Sequence, residues 1–244
     1  MSQTLVLQSH TQPLPAKWLE SCIKSVKVWA DQNKFDYQFI GDELFDYVPK
    51  KLLEKTRNQR VIATDLARLK IIQEYLQKDF STVIWCDADF LIFAPDRFIL
   101  AQDSYAVGRE VWIQQNEKQK LNAYVKVHNA FMMFRRGNAF LDFYADTAER
   151  LLTLNNGPMP AQFIGPKLLT AIHNIAQCPV METAGMLSPV VIKDMARQTG
   201  AALNLFRRHS PQPIAAANLC SSLYQRGETN ESDIEHCIRN LQNS

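Results

Sequence analysis

The chain has 244 residues, of which 46% are hydrophobic and 21% charged, and its formal net charge is +2. This length suits one large α/β domain or two small ones, with enough apolar material for a sizeable core. Because neither sign of charge dominates a long block, the sequence gives no electrostatic indication of nucleic-acid binding. No stretch approaches the length of a membrane span, and no basic segment followed by a long apolar run indicates a signal peptide.

The glycine and cysteine contents argue against two kinds of site. Only 8 glycines are present, and neither a GxGxxG nor a GxxxxGK[ST] pattern occurs, which disfavours a glycine-rich phosphate loop. The 5 cysteines are odd in number, scattered and free of CxxC spacing. This usage favours reduced thiols over a disulfide framework or a zinc site. We therefore expect a cytoplasmic protein, with peripheral contact to a membrane left open.

The first 40 residues predict a strand–helix–strand unit. Residues 4–8 predict a first strand, and residues 36–40 alternate as a second strand that ends at Gly41. Between them, Pro15 suits the first turn of a helix. The apolar residues at helical spacing are Trp18, Cys22, Val26 and Trp29. Such a unit implies parallel pairing of its strands, so we expect an α/β fold with a mainly parallel sheet.

The next helix carries two charged side chains on one face. Residues 49–58 predict a loop or a short helix, and residues 60–78 predict a long amphipathic helix. Asp65 and Arg68 are three positions apart and are therefore neighbours on the helix surface. They form either an exposed ion pair, which contributes little to stability, or a carboxylate and a guanidinium that face a polar site. The helix alone favours the exposed ion pair.

Two aspartates follow the most apolar strand of the chain. Residues 83–93 read VIWCDADFLIF, so Asp87 and Asp89 lie between two apolar runs, the first of which predicts a buried strand. In an extended backbone residues i and i+2 point to the same side, and the two carboxylates can converge on one cation. A hard divalent ion with oxygen ligands would offset the cost of burying them. Asp-x-Asp tripeptides are frequent, however, and one at a strand end can simply cap a helix or solvate a turn.

The second half of the chain predicts shorter elements. Residues 95–100 predict a turn and short helix, residues 105–108 a strand, residues 109–124 a polar and flexible loop, residues 127–134 a buried strand, residues 162–175 a helix with Pro166 in its first turn, and residues 178–193 short strands. Asn129 inside the buried strand is either a satisfied core amide or a ligand contact. Asn138 is placed to cap a helix, and Ser232 with Glu235 matches a capping box for a last helix. We expect one domain over residues 1–225 and a short helical tail over residues 226–244.

Several segments, in this order, resemble a known family. They are Gln8 with Pro13-Leu14-Pro15 and Trp18, Thr64-Asp65-Leu66-Ala67-Arg68, Trp85-Cys86-Asp87-Ala88-Asp89, Asn129-Ala130-Phe131, and Gly165-Pro166-Lys167-Leu168-Leu169-Thr170. Together they resemble the glycosyltransferases with a DXD sugar-binding region. These enzymes share the GT-A fold and include fungal outer-chain mannosyltransferases, α-galactosyltransferases and bacterial capsule and lipopolysaccharide glycosyltransferases. The resemblance covers residues 4–224.

The resemblance implies a Rossmann-like GT-A domain that binds a nucleotide-sugar, with a mainly parallel central sheet. It implies transfer of a sugar from a UDP- or GDP-sugar to a glycan or lipid-linked acceptor, with retained anomeric configuration, in surface polysaccharide or glycoconjugate synthesis. It implies Mn²⁺ or Mg²⁺ held by Asp87 and Asp89, and a catalytic centre of Asp65, Arg68 and Asp89. The implied donor-binding residues are Gln8, Ser9, Asp65, Arg68, Asp87, Asn129, Gln162 and Gly165. No residue stands out as a nucleophile.

One position departs from the family pattern. The family places a metal-binding His on a late strand, where this chain has Asn218 in the segment NLCSSL. Either Asn218 or the nearby His209 would then be the last metal ligand. A degenerate glycosyltransferase fold that binds without turnover is one alternative, and a purely structural domain is another. A haloacid-dehalogenase-type phosphohydrolase also has Asp-x-Asp after a strand, but it needs Thr or Val at the position of Leu91 and a downstream acidic pair.

Overall fold

A six-stranded sheet and a three-stranded sheet meet at the two aspartates. The computed structural model describes residues 3–243, and all statements of absence refer to these residues. The strands are β1 Thr4–Ser9, β2 Asp36–Ile40, β3 Thr82–Cys86, β4 Phe90–Ile92, β5 Tyr105–Gln115, β6 Leu121–Arg135, β7 Val180–Met181, β8 Ala184–Met186 and β9 Ala216–Asn218. The large sheet has the order β2-β1-β3-β6-β5-β7, and the small sheet has the order β4-β9-β8. Asp87 and Asp89 thus lie where the chain passes from β3 of one sheet to β4 of the other.

The pairing in the large sheet confirms the expected mainly parallel arrangement. Strand β1 pairs in parallel with both β2 and β3, and β5 pairs in parallel with β7. Strand β6 runs antiparallel to both of its neighbours, β3 and β5. In the small sheet, β9 is antiparallel to β4 and parallel to β8, with Asn218 opposite Phe90.

The helices cover both sides of these sheets. They are α1 Trp18–Gln32, α2 Lys50–Thr56, α3 Arg60–Lys78, α4 Ala139–Leu154, α5 Pro166–Ala176, α6 Pro189–Ala196, α7 Ala201–His209, α8 Ser221–Gln225 and α9 Glu231–Gln242. Short 3-10 helices occupy Asp42–Tyr47 and Pro95–Arg97. None of the helices in the described part of the chain has both the length and the apolar character that a membrane crossing requires.

Strand β3 is apolar throughout because both of its faces are covered. Val83 and Trp85 face a core built with α3 and α4, whereas Ile84 and Cys86 face a core built with α1 and the small sheet. Side chains alternate along a strand, so a strand buried on both faces needs a continuous apolar run. A third core joins α1, α6, α7 and α9 to the β5–β6 hairpin. Residues 83–86 therefore form the buried strand that the sequence predicts.

Two predictions of local structure are wrong, and a third holds only in part, since the short strands expected over residues 178–193 give way to helix α6 at Pro189. Residues 109–124 are not a flexible loop but most of a long antiparallel hairpin, whose turn is closed by the Asn116 side chain accepting from the amides of Lys118 and Lys120. The many charged and amide residues there conceal the alternation of apolar and polar positions. The cap of α9 is Asn230 rather than Ser232, since Asn230 Oδ1 accepts from Asp233 N at 2.8 Å. The predicted Asn138 cap of α4 is confirmed, with Leu141 N donating at 3.0 Å.

Candidate functional site

Six of the buried polar side chains of the chain gather at the carboxyl end of β3. They are Gln8, Asp65, Arg68, Asp89, Asn129 and Asn218. Charged side chains are rarely buried unless they are paired, and burial of so many polar groups in one place lowers stability unless each group finds a partner. In open α/β sheets, ligands bind outside the carboxyl ends of the strands. The position and the composition of this cluster together mark it as the candidate site.

Arg68 is the centre of the first half of the cluster. Its side chain is 5% exposed, and Nη1 lies 2.9 Å from Asp87 Oδ1. The same nitrogen donates to Asn129 O at 2.9 Å, and Nη2 lies 3.4 Å from Asp65 Oδ1. The guanidinium also stands over the Trp85 ring, 5.2 Å from its centroid. The exposed ion pair that the helix alone favours is therefore wrong, because Asp65 and Arg68 are a buried pair that faces the polar site.

Asp65 is held against a glycine and an asparagine. Asn129 Nδ2 donates to Asp65 Oδ1 at 2.9 Å, so Asn129 is a satisfied amide within the site. A Cβ atom on Gly165 would lie only 2.3 Å from Asp65 Oδ2, so no larger residue fits there without movement. Tyr144 holds this segment by donating to Ile164 O at 3.1 Å. Burial raises the pKa of Asp65 to about 6, although Arg68 and Asn129 oppose the rise.

Asp87 and Asp89 lie in a turn rather than in an extended strand. The turn is closed by Phe90 N, which donates to Asp87 O at 2.9 Å. The backbone is therefore not extended at this position, and convergence of the two carboxylates on one cation does not follow from strand alternation. Asp87 turns toward Arg68 and also accepts from Trp85 Nε1 at 2.7 Å, while its side chain stays 26% exposed.

Asp89 is the centre of the second half of the cluster and has only neutral partners. Asn218 Nδ2 donates to Asp89 Oδ1 at 2.5 Å, and Ser221 N donates to Asp89 Oδ2 at 2.6 Å. The positive φ of 54° at Cys220 belongs to the sharp turn that brings the Ser221 amide to this carboxylate. Burial and then the charge of Asp87 raise the pKa of Asp89, and the Ser221 and Asn218 hydrogen bonds oppose the rise.

Gln8 joins the turn to the first two strands. Gln8 Nε2 donates to Asp87 O at 3.1 Å, and Tyr37 donates its hydroxyl to Gln8 Oε1 at 3.0 Å. Ser9 is the last residue of β1 and is half-buried beside Gln8. Of the other residues named from the sequence, Gln162 is exposed in the turn before α5, and His209 is exposed at the end of α7. These two side chains make no hydrogen bond to the cluster within the described residues.

Sequence reasoning missed three partners in this site. Tyr37, Trp85 and Ser221 each donate a hydrogen bond to Gln8, Asp87 or Asp89. Trp85 precedes Asp87 by only two residues, so the sequence itself contained a possible donor to this carboxylate. Ser221 acts through its backbone amide, which carries no mark in a sequence, and Tyr37 belongs to a strand distant from the motif.

The carboxylate oxygens of Asp87 and Asp89 suit a divalent cation only if a bound ligand and water supply the rest of its oxygen ligands. No group of three or more His, Cys, Asp and Glu side chains is arranged around a common point in residues 3–243. Asn218 presents its amide nitrogen to Asp89, and its Oδ1 accepts from Cys220 N at 2.8 Å, which fixes the orientation of the amide. Mg²⁺ is commonly held by one or two carboxylates together with phosphate oxygens and water. Asp87 and Asp89 fit this mode, in which a ligand supplies most of the oxygens.

Two surface cavities lie away from this cluster. One of about 650 Å³ lies between β2 and α3 and is lined by charged and amide groups including Gln38, Lys70 and Glu74. Another of about 510 Å³ lies beside α1 and the Pro95–Arg97 segment. Neither cavity contains a residue of the cluster, so the candidate site rests on the polar residues at the end of β3.

At the level of sequence, the chain matches no family model and no curated protein. Solved structures do resemble it. A glycosyltransferase involved in the glycosylation of the major capsid of PBCV-1 shares a TM-score of 0.51 at 12% identity, covering 93% of this chain and 98% of that chain. The galactosyltransferase LgtC, in complex with donor and acceptor sugar analogues, shares a TM-score of 0.50 at 15% identity, covering 98% of this chain and 95% of that chain. Because these similarities extend over nearly all of both chains, they establish the architecture, and the protein has the GT-A fold of these glycosyltransferases.

Proposed function

We propose that the protein is a glycosyltransferase that moves a sugar from a nucleotide-sugar to an acceptor hydroxyl. The observation that carries this proposal is the buried group of Asp65, Arg68 and Asp87 beside Asp89, at the carboxyl end of β3 in a GT-A fold. A purely structural domain has no need of three carboxylates and a guanidinium at that edge. The resemblance of the DXD segment and the helix start at Asp65 to the same enzymes supports this assignment.

The leaving group explains the charges of the site. When the bond to the transferred sugar breaks, the nucleoside diphosphate gains negative charge, which fixed positive groups stabilise. Arg68 is a delocalised cation held in place by Asp65 and Asp87. A divalent cation, Mn²⁺ or Mg²⁺, would be held by Asp87 and Asp89 and would supply Lewis-acid stabilisation of the diphosphate oxygens. Asn218 is best placed to hold the Asp89 carboxylate, and it becomes an oxygen ligand only if its amide turns over.

The remaining residues of the cluster suit the donor. Asp65 and Asn129 would hold hydroxyls of the transferred sugar, since a carboxylate accepts and an amide does both. Gln8 and Ser9 would lie near the base, and Gly165, which has no side chain, allows the Asp65 carboxylate to lie close to its backbone. We retain Gln162 as a donor contact only if its segment moves. A UDP- or GDP-sugar donor, retention of configuration and a glycan or lipid-linked acceptor, in surface polysaccharide or glycoconjugate synthesis, complete the proposal.

The cysteines support a reducing compartment. All five are free and buried, and none is placed as part of a disulfide. We therefore retain the cytoplasm as the proposed location, with peripheral membrane contact where the acceptor is lipid-linked.

The most direct test is a thermal-shift panel of nucleotide-sugars and free nucleotides, each with and without Mn²⁺. A ligand that binds only the folded state raises the melting temperature, so the donor should raise it more with Mn²⁺ than without. Donor hydrolysis by the protein should then follow the same preference. If no nucleotide-sugar raises the melting temperature under either condition, the proposed function is wrong.

One alternative keeps a specific observation in its favour. Asp89 is already held by neutral donors from Asn218 and Ser221, as expected for a degenerate member that binds without turnover. Donor binding without hydrolysis or transfer would favour this alternative. The haloacid-dehalogenase alternative lacks such support, because Leu91 is buried in β4 and the fold is that of glycosyltransferases.

A further inference from the structure

The β5–β6 hairpin has one face in the core and one face toward solvent. Val111 and Ile113 are fully buried in the core with α1, α6 and α7. Since side chains alternate along a strand, Glu110, Trp112 and Gln114 point to the opposite face. The register places Lys126 opposite Glu110 and Tyr124 opposite Trp112. We call this set of side chains the hairpin face.

Two large aromatic side chains lie on the hairpin face in contact with solvent. Tyr124 is 39% exposed, and Trp112 is half-buried directly across from it. Trp112 Nε1 donates to Gln114 Oε1 at 3.1 Å, and Lys126 Nζ lies 5.8 Å from the Tyr124 ring centroid. Exposed aromatic rings edged by polar groups are typical of binding surfaces. Because Trp112 and Tyr124 are opposite each other on neighbouring strands, their rings border the same stretch of surface.

The same face leads to the candidate site. Glu110 is the next residue inward from Trp112 on this face. Gly108, the residue after it in the same direction, is opposite His128, which is the chain neighbour of Asn129 in the candidate site. Farther in, His128 Nε2 donates to Ala184 O at 3.1 Å, which joins this face to the small sheet.

The Glu110 carboxylate can accept hydrogen bonds that none of the described residues donates to it. Burial raises the pKa of its carboxyl, and the charge of Lys126 opposes the rise. Glu110 is half-buried, and its carboxylate makes no hydrogen bond and no ion pair with the described residues. Its oxygens are therefore free to accept hydrogen bonds from a ligand or from water.

We propose that the hairpin face binds a neutral pyranose ring of the acceptor glycan, stacked on Trp112 and Tyr124 with hydroxyls hydrogen-bonded to Glu110 and Gln114. A pyranose has an apolar face of C–H groups and a rim of hydroxyls, which matches an aromatic pair edged by acceptors. Glu110 and Lys126 oppose each other across the strands, so their charges balance and favour an uncharged sugar. Assignment of this sugar to the acceptor rests on the proposed function, because the face leads to the place where the donor would react.

A second copy of the chain is a less suitable occupant. Only two aromatic residues are exposed on this face, and Lys126, Gln114 and Asn122 are interspersed with them. Protein–protein interfaces of stable dimers are larger and have cores depleted of charge. Loss of a dimer on substitution of Trp112, measured by sedimentation, would therefore overturn the sugar assignment.

The test uses the tryptophans of the protein as a probe. Of its 4 tryptophans, Trp18, Trp29 and Trp85 are at most 2% exposed. Iodide should therefore quench mainly Trp112. We expect lactose, maltose or cellobiose at millimolar concentration to protect Trp112 from iodide, and saturation-transfer NMR to show contact to the C–H face of the sugar. Tyr124→Ala and Glu110→Gln should each weaken sugar binding, Tyr124→Ala about tenfold.

Matched variants keep the test specific. Trp112→Phe retains a ring and should keep most of the sugar binding, whereas Trp112→Ala should lose it. Phe143→Ala removes another exposed aromatic residue, on α4, and should change nothing. Circular dichroism checks that each variant is folded. Absence of protection by all three sugars, with and without UDP and Mn²⁺, or equal binding by Trp112→Ala and the parent protein, would overturn the proposal.

The two proposals fail separately in this design. Sugar binding is measured without donor, and donor binding is measured by the Mn²⁺-dependent thermal shift. Variants of the hairpin face that lose the sugar but keep the nucleotide shift would support both proposals. Sugar binding that depends on Trp112 in a protein that binds no nucleotide would leave the hairpin site in place and remove the proposed transferase function.

Discussion

The two halves of the site contain the same kind of charge but balance it differently. Around Asp65 and Asp87, the guanidinium of Arg68 lies 2.9 Å from one carboxylate and 3.4 Å from the other. Around Asp89, the partners are the side-chain amide of Asn218 and the backbone amide of Ser221. Asp65, Arg68 and Asp89 are all buried, and Asp87 alone keeps some access to solvent, so the main difference between the halves is in charge.

This difference indicates which half awaits a ligand. The single guanidinium of Arg68 offsets part of the negative charge of Asp65 and Asp87, and its removal leaves the buried Asp65 without a cation. A carboxylate held only by neutral donors keeps its negative charge, so a mobile cation still lowers its free energy. We therefore expect the Arg68 half to hold the fold and the Asp89 half to respond to metal.

Of the changes considered, removal of Arg68 should lower the free energy of unfolding most. Arg68→Ala leaves the buried Asp65 and the half-buried Asp87 without a cation and should lower the free energy of unfolding by about 3–5 kcal/mol, measured by urea denaturation. Lys70→Ala is the matched control on the same helix. Lys70 Nζ lies 2.6 Å from Glu149 Oε2, but both side chains are partly exposed, so its loss should be below about 1 kcal/mol. Similar losses for the two variants would contradict the structural role of Arg68.

The pH dependence of stability should identify Asp65 within the Arg68 half. Burial raises its pKa from the usual 3.8 to about 6, so the folded state binds this proton more tightly than the unfolded chain does. Its contribution is therefore largest below pH 4 and is lost as the pH rises through 6. At about 1.4 kcal/mol per pH unit, the loss amounts to about 3 kcal/mol.

The measurement compares two proteins over this range. The free energy of unfolding of the parent protein, minus that of Asp65→Asn, should fall between pH 4 and 6 and stay level at higher pH. Subtraction removes the titration of the other carboxyls, including Asp89. A difference that is level throughout, or that rises with pH, would show that the guanidinium outweighs burial at Asp65.

Removal of the Asp89 charge should abolish the response of the Asp89 half to metal. In Asp89→Asn, the side chain keeps an acceptor for one of its donors, so the fold should stay intact. A parent protein saturated with UDP or GDP and Mn²⁺ at about 100 times the dissociation constant gains about 2.7 kcal/mol of stability, and the variant should gain little. Asp96→Asn, at an exposed acid in the Pro95–Arg97 segment, is the control. An unchanged Mn²⁺-dependent shift in Asp89→Asn would count against the metal assignment.

The sequence predicts the two halves unequally. The strand at residues 82–86 and the helix at residues 60–78 follow from apolar periodicity, which reports burial directly. Asn129 inside an apolar run predicts that its amide finds a partner, and that partner is Asp65. These inferences need only local pattern together with the cost of burying a polar group.

The Asp89 half could not be predicted in the same way. Its contacts join Asp89 to Asn218 and Ser221, which are far away in the chain, and one of the two donors is a backbone amide. Local sequence patterns do not predict which residues far apart in the chain come into contact. The turn at Asp87 has the same origin, because β3 and β4 belong to different sheets and the chain must bend between them. The hairpin was missed because its polar face carries the charged and amide residues that otherwise indicate a loop.

A smaller change tests whether the packing of the Arg68 half matters when all of its charges are kept. In Gly165→Ala, the new Cβ would lie 2.3 Å from Asp65 Oδ2, so the carboxylate or the turn before α5 must move. Overpacking of this kind lowers the free energy of unfolding by about 1–3 kcal/mol. Because Asp65 would shift relative to Arg68 and Asn129, binding of a nucleotide-sugar should weaken more than binding of the free nucleotide.

Gly157→Ala is the matched control for that change. Its Cβ would meet only Asn155 Oδ1, at 3.9 Å, which is ordinary contact, and its φ is not in the left-handed region. This variant should therefore be as stable as the parent protein or slightly more stable, since alanine restricts the unfolded chain. Equal stability and equal donor binding in the two variants would mean that the turn before α5 yields freely. The tight packing of Gly165 on Asp65 would then contribute nothing to the donor site, and the Arg68 half would be held by its charges alone.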